Sequence, residues 1–470
     1  MNTLLTHGYF IAQDRHEAEI MKPYPPLGLL YLSSYLKERG FDVAVYDTTF
    51  RDPRDFYRLI EEERPPVVGI YANMMTRRTV VAMARFCRDQ GCTVVLGGPE
   101  PANYPAAYLA RGGDVIVVGE GERTMEELLP HLARQGLRDL GHIRGIVYRG
   151  DGGQMVRTGL RPYVEDLDAL PFPDREAIDV GAYLRVWREH HGRGALSLIT
   201  ARGCPYRCAW CSHAVFGYSH RRRSPGDVAD ELEMIREAYA PEMVWYADDV
   251  FTMDKGWLET YAGELARRGV RVPFEATSRV DRLDEDVARI LADMGCFRLW
   301  IGAESGSQRM LDAMERRIKA ARVPEVSRLL QRHGIEVGVF VMLGYEGEGI
   351  ADLEATAELL EEAKPDEFLT AVAYPIKGTP YYERVLDRIV MPVAWEESSD
   401  RDLIVTGRRS DRFYRFATRW LVNRVAWRRR WDEARRKGTL PRSPETLKAL
   451  VNAGVGRLGM RLTKGEVARG

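Results

Sequence analysis

The sequence predicts an α/β fold class: a doubly wound, Rossmann-like N-terminal sheet, then a partial (β/α)6 barrel, then a mainly helical C-terminal segment. Three observations predict it. Short apolar runs ending in Gly or small polar residues alternate with amphipathic stretches through the first part of the chain. A second series of such units follows a proline-marked connection. Beyond it the chain turns basic, with aromatic residues at helical spacing. At 470 residues, 45% of them apolar and 29% charged, the chain is long enough for two or three domains with real cores. The divisions expected are 1–143, 144–190, 191–385 and 386–470.

The elements come in order. "TLLTHGYF" reads as the first strand, and a helix from about Pro26 to Arg39 has a Pro-Pro start and a Gly40 stop. "DVAVYD", "PVVGIYA", "CTVVLGG" and "DVIVVGEGE" read as four more strands, each followed by a helical segment. Right-handed crossovers make such a sheet parallel and place ligands at the strand carboxyl ends. Gly97, Gly98, Gly119 and Gly121 stand at those ends, where a missing Cβ lets a large ligand approach the backbone, although tight turns ask for the same residue. "GIVYRGDGGQMVRT" suggests a hairpin and "DLDALPFPDRE" an extended linker. "LSLIT", "EMVWYA", "PFEATS", "FRLWIG", "EVGVFVML" and "EFLTAVAY" then give six strand-helix units, an open barrel whose reactive face lies at the strand carboxyl ends.

No run of eighteen apolar residues is present, and the N-terminus lacks the basic-then-apolar order of a signal peptide, so a cytoplasmic protein is expected. Net charge is −1, yet residues 401–470 hold 19 Lys+Arg against 6 Asp+Glu. Phe413, Phe416, Trp420, Trp427 and Trp431 recur on one helical face between arginines. The spacing suggests a helix packed on the preceding domain; a peripheral membrane contact or an anionic substrate is the alternative. No nucleic acid is expected, because no recognition motif accompanies the charge.

The chemistry-bearing stretch is "TARGCPYRCAWCSH", which sets Cys204, Cys208 and Cys211 after the first barrel strand. Three thiolates on a four-iron cluster leave one iron open to a small molecule. A Cys3His zinc site using His213 is the competing reading. The C-x3-C-x2-C spacing, with Trp210 before the last cysteine, resembles the radical SAM superfamily. That resemblance implies a [4Fe-4S] cluster whose open iron is chelated by S-adenosylmethionine and which reductively cleaves it to a 5'-deoxyadenosyl radical. It further implies Asp248 and Asp249 near the methionine amino group, Ser278 and Arg279 near its carboxylate, Glu304 near the ribose or amine, and Gly344 and Gly347 near the adenine.

"YPPLGLLYLSSYLKERGFDVAVYD", "LGGPEPANYP" and "VGEGE" resemble the cobalamin-binding domain of cobalamin-dependent radical SAM enzymes, a group of C-methyltransferases and the anaerobic cyclase of bacteriochlorophyll synthesis. The resemblance covers about residues 1–380 and implies cobalamin at Gly97, Gly98, Gly119 and Gly121. Glu19 replaces the glycine of the classical Asp-x-His-x-x-Gly loop, so His16 is expected to be a loop residue rather than an axial ligand. Methylthiotransferases carry three further cluster cysteines, whereas only Cys87 and Cys92 precede the motif. The implied activity is methylation of an unactivated carbon of a small molecule or natural product, with oxidative cyclisation or rearrangement as alternatives. The implied partner is an electron donor such as flavodoxin or ferredoxin. A non-catalytic cobalamin or Fe-S sensor is the reading from another class, and scattering of Asp248, Arg279 and Glu304 would favour it.

Overall fold

The computed structural model describes residues 2–440 and 443–468. The first sheet contains β1 (Thr3–His7), β2 (Val43–Tyr46), β3 (Val67–Tyr71), β4 (Thr93–Gly97), β5 (Val115–Val117), β6 (Ile146–Arg149) and β7 (Met155–Arg157) in the order β2-β1-β3-β4-β5-β6-β7. β1 to β5 are parallel, with Leu5 opposite both Val45 and Gly69. Successive residues serve opposite faces, as strand geometry requires. Leu4, Val94, Leu96 and Ile116 pack with Phe56, Ile60, Val80 and Ala84 from the helices Pro53–Glu63 and Arg77–Asp89. Leu5, Val95, Val115 and Val117 pack with Leu29, Leu36, Met125 and Leu128 from the helices Leu27–Glu38 and Glu122–Gln135. Both faces are therefore covered, as a parallel sheet needs.

The hairpin expected between the domains is present but joins this sheet: β6 runs antiparallel to β5, with Ile116 opposite Val147, and β7 pairs with β6 in turn. Without it, the three-residue β5 would expose a row of unpaired backbone groups.

The second sheet contains β8 (Ala195–Leu198), followed by the small antiparallel pair β9 (Ala201–Arg202) and β10 (Arg221–Arg222), then β11 (Met243–Tyr246), β12 (Phe274–Ser278), β13 (Cys296–Glu304), β14 (Glu336–Leu343) and β15 (Glu367–Val372). Its six-stranded order, β15-β14-β13-β12-β11-β8, is all parallel and keeps the chain's own sequence, as six consecutive strand-helix units demand.

The C-terminal region is a pair of helices, Asp411–Arg436 and Pro444–Leu462, packed on each other and on the barrel. Phe413 and Trp420 of the aromatic face belong to the barrel core, so these rings are taken up in packing; Trp431 is exposed. Between barrel and helices, residues 395–402 return to the first sheet's flank. Arg77 is fully buried there, sandwiched 4.7 Å from the rings of both Tyr104 and Trp395. Its guanidinium meets Glu100 at 2.5 Å and Asp400 at 2.6 Å, and Asp400 also accepts bonds from the Tyr104 hydroxyl and the Lys377 backbone N–H. Among the described residues no helix is long and apolar enough to cross a membrane.

Arg77→Met should lower the unfolding free energy by about 3–5 kcal/mol, because it leaves Glu100 and Asp400 buried without their counter-charge. Urea denaturation at neutral pH measures the loss; a shift below about 1 kcal/mol, the worth of an exposed pair, would contradict it.

Candidate functional site

The cysteine loop is closed at its base by β9 and β10, which pair Arg202 with Arg221 and Ala201 with Arg222. Gly203 has φ +87°, and a Cβ there would collide with the Ser219 carbonyl, so the chain can turn into the loop only at glycine. The loop is pinned along its length: the Ala209 N–H donates to the Met314 carbonyl at 3.0 Å and the Ala209 carbonyl accepts from the Tyr381 N–H at 2.8 Å. Cys208 is buried, and Cys204 and Cys211 are partly accessible.

Two guanidinium groups approach the Cys208 sulfur, Arg316 Nη1 at 3.6 Å and Arg279 Nη1 at 3.8 Å. A hydrogen bond from Cys211, reinforced by Arg316 and Arg279, holds the Cys208 thiol down to about 5 against its burial. Cys211, which supplies that bond, is pushed up, and burial raises Cys204. Thiolate is the ligand form of cysteine, and N–H groups aimed at the sulfurs are what an iron–sulfur cluster uses to stabilise its charge. The residues present therefore fit a cluster held by Cys204, Cys208 and Cys211. Among the described residues no group of three or more His, Cys, Asp or Glu side chains is arranged around a single metal ion. His213 instead has Nδ1 at 3.1 Å from the Gly217 carbonyl and stacks on Tyr218.

The strand-end residues divide into two groups. Asp248, after β11, is committed to the base of the loop: its carboxylate accepts from the Thr200 N–H at 2.7 Å, the Ala201 N–H at 3.2 Å and the Thr200 hydroxyl, and Arg222 lies at 3.4 Å. Ser278 is paired with the Thr252 hydroxyl. Arg279 is buried, stacked 3.7 Å from the Tyr206 ring and bonded to Asp281 and to the Arg316 carbonyl. Asp249 is exposed and makes no hydrogen bond or ion pair among the described residues. Glu304 closes β13 at φ +61°, at a register shift against β14, a conformation costly for a non-glycine residue. Burial lifts its carboxyl to about 7, opposed by Arg316, whose Nη2 is 3.7 Å away. Arg279, Glu304 and Cys208 thus converge on Arg316. Sequence alone does not single this residue out, because it lies in the loop after the helix Gln308–Ala313, away from any strand end. Arg279 and Glu304 meet at Arg316, while Asp248 stands apart at the base of the loop.

Gly344 differs from expectation in what approaches it. At φ +78° its missing Cβ makes room for the Tyr414 ring, 2.9 Å from where that atom would lie, so the C-terminal helix covers this loop. Gly347, at φ +79°, faces Arg309. Within the same loop the buried Glu348 accepts from the Gly344 N–H at 2.6 Å, while its other oxygen has no partner.

A cavity of about 150 Å3, partly open to solvent, lies between the two sheets. One wall carries Gly97, Gly98, Gly119 and Gly121 from the carboxyl ends of the first sheet; the other carries Ile199, Arg202, Val215 and Phe216 from the cysteine loop and its stem. At Gly97 a Cβ would meet nothing within 4 Å, so the space above that backbone is open. This is the shape of a cradle for a flat, largely apolar ligand and fits a corrin. His16 is exposed on the short helix Arg15–Ile20 and does not line the cavity. Arg202 bonds Glu120 at 2.8 Å and Glu122 at 2.6 Å, and Arg221 also bonds Glu120, tying the two walls together.

Two family patterns match the chain: the B12 binding domain over residues 18–129 and the Radical SAM superfamily over residues 198–360. The chain carries a B12-binding domain and a radical SAM domain. It is 26% identical to an uncharacterized methyltransferase of Pyrococcus horikoshii over 81% of this chain and 83% of that one. It is 27% identical to the anaerobic magnesium-protoporphyrin IX monomethyl ester cyclase of Rubrivivax gelatinosus over 81% and 70%. Among solved structures, the radical S-adenosylmethionine methyltransferase TsrM of Kitasatospora setae, with cobalamin and a [4Fe-4S] cluster bound, shares the fold at a TM-score of 0.67, with 21% identity over 82% of this chain and 74% of that one.

Glu348 gives this site a pH signature. Burial lifts its carboxyl to about 8, well above the roughly 4.3 of an unfolded glutamate. The fold therefore favours the protonated form, and the stability gained is complete below about pH 4.3 and lost as pH rises through about 8. Glu348→Gln keeps the acceptor for Gly344 but cannot ionise. Its stability relative to the parent protein should rise between about pH 5 and 8, at up to about 1.4 kcal/mol per pH unit. Urea titrations at both pH values check this, and parallel curves would refute it.

Proposed function

We propose that this chain is a cobalamin-dependent radical SAM enzyme that methylates an unactivated carbon of a small molecule. The supporting observation is the cavity shared between the glycine-lined ends of the first sheet and the cysteine loop of the second. A substrate held there would face both cofactor sites without leaving the protein, as a two-cofactor methyl transfer requires. When bound, the cluster and corrin would supply one-electron reduction of S-adenosylmethionine and carriage of a methyl group.

The chain's own residues would do the rest. Cys204, Cys208 and Cys211 would hold the cluster, with Arg316 and Arg279 offsetting charge at Cys208. Asp249, which has no hydrogen-bond or ion-pair partner among the described residues, is suited to the methionine ammonium, and Glu304 to a ribose hydroxyl. Asp248 would set the loop's position through the Thr200 and Ala201 N–H groups. Gly97, Gly98, Gly119 and Gly121 would let the corrin lie against backbone, and Val215 and Phe216 would exclude water from its reactive side. A reducing donor such as flavodoxin or ferredoxin would deliver the electron.

A second reading, oxidative cyclisation, is favoured by the similarity to the Rubrivivax cyclase. Turnover with methyl-labelled S-adenosylmethionine separates the two: methyl transfer puts label in the product and yields S-adenosylhomocysteine and 5'-deoxyadenosine in equal amounts. Deoxyadenosine without either label or homocysteine would reject methyl transfer and favour cyclisation or rearrangement. Replacing any one of the three cysteines by Ala should remove cluster iron and deoxyadenosine formation together.

Gly97→Leu fills open space at an unstrained position and should cut corrin content at least about tenfold while leaving iron content and the circular dichroism spectrum unchanged. Unaltered corrin stoichiometry would place the cofactor elsewhere. Gly98 is unsuitable for this test, because at φ +101° any side chain strains the fold itself.

A further inference from the structure

The final helix, Pro444–Leu462, is built inside out. Its buried face consists of small residues: Ala449, Gly456 and Gly459 turn toward the helix Asp411–Arg436, with Met460 as the one large exception. A Cβ at Gly456 would come within 2.6 Å of the Trp420 backbone nitrogen, and one at Gly459 would enter the Phe416 ring. The glycines let the two helices approach closely, and the large aliphatic residues are left outside. Leu447 is 63% exposed, Val451 55%, Leu458 57% and Leu462 73%, with Leu450 and Val455 exposed beside them. Residues 447, 451, 455, 458 and 462 step by four, four, three and four, so they form one continuous stripe along the helix.

The stripe has a charged border. At about 100° per residue Lys448 falls on one side of it and Arg461 on the other, both exposed, and neither forms an ion pair within 4.0 Å among the described residues. Arg457 is taken up by Glu354. Glu445 is the only acid on the helix, and residues 401–470 carry 19 Lys+Arg against 6 Asp+Glu. An apolar stripe with long cationic side chains along its edges suits the boundary between lipid headgroups and acyl chains, the stems lying in the apolar layer and the charges reaching the phosphates. Self-association suits it poorly, since a two-fold contact through this stripe would bring two sets of basic borders together.

We propose that the outer face of Pro444–Leu462 is a docking surface for an anionic lipid bilayer, holding the enzyme flat on a membrane without crossing it. The aromatic face of Asp411–Arg436 packs on the preceding domain, as its spacing suggests, and serves as the platform that presents this surface.

The test is flotation of the full-length protein with vesicles of phosphatidylcholine alone or with phosphatidylglycerol added. The parent protein should float with the anionic vesicles and be released by high salt. Leu458→Ser combined with Leu462→Ser should lower partitioning at least about tenfold, because both side chains are exposed and their loss removes only lipid contact. Lys448→Glu combined with Arg461→Glu should abolish the preference for anionic vesicles. Failure of the parent protein to float, or equal flotation of the serine variant, overturns the proposal. So does a dimer, seen by light scattering, that Leu458→Ser dissociates, since that would assign the stripe to a second copy of the chain.

Discussion

Arg202 holds the molecule's two sheets in one relation. It leaves β9 at the mouth of the cysteine loop, is almost completely buried, and bonds Glu120 and Glu122 from the loop after β5. Burying three charges is expensive unless every one is paired in good geometry, so the network tolerates little displacement. Arg221 adds a second bond to Glu120 from the other side of the loop's stem, and the same Glu120 oxygen accepts from the Val164 N–H at 2.7 Å. The cavity between the sheets keeps its shape because the walls cannot slide past each other without breaking several buried charged hydrogen bonds together.

The same logic places the cysteines. The loop from Gly203 to His220 contains no helix or strand of its own, and its position comes from groups outside it. Asp248 fixes its stem, Met314 and Tyr381 fix its middle, and Arg279 and Arg316 fix Cys208. The arginines also help lower the Cys208 thiol, which favours its thiolate form. Position and reactivity therefore have one source.

The C-terminal region couples to both domains. Residues 395–402 clasp Arg77 on the first, while Asp411–Arg436 completes the barrel core on the second and covers Gly344 with Tyr414. The last helix, Pro444–Leu462, contributes small residues to the packing and leaves its large ones to solvent, the reverse of a helix whose purpose is stability.

By itself the sequence determined the succession of strands and helices, because hydrophobic period and Gly/Pro punctuation act over a few residues. It also determined the cysteine motif and the glycines at the ends of β4 and β5, whose meaning lies in local spacing and in the absence of a side chain. Tertiary structure decided which charges do work. Arg221, Arg222 and Arg223 are consecutive in the chain, yet each enters a different buried or half-buried network. Asp248 and Asp249 are neighbours in the chain, but one is consumed by backbone N–H groups and the other is left open. Arg316 carries no local signal at all. Its contact with Cys208 joins residues 108 positions apart, and no short-range pattern encodes that convergence.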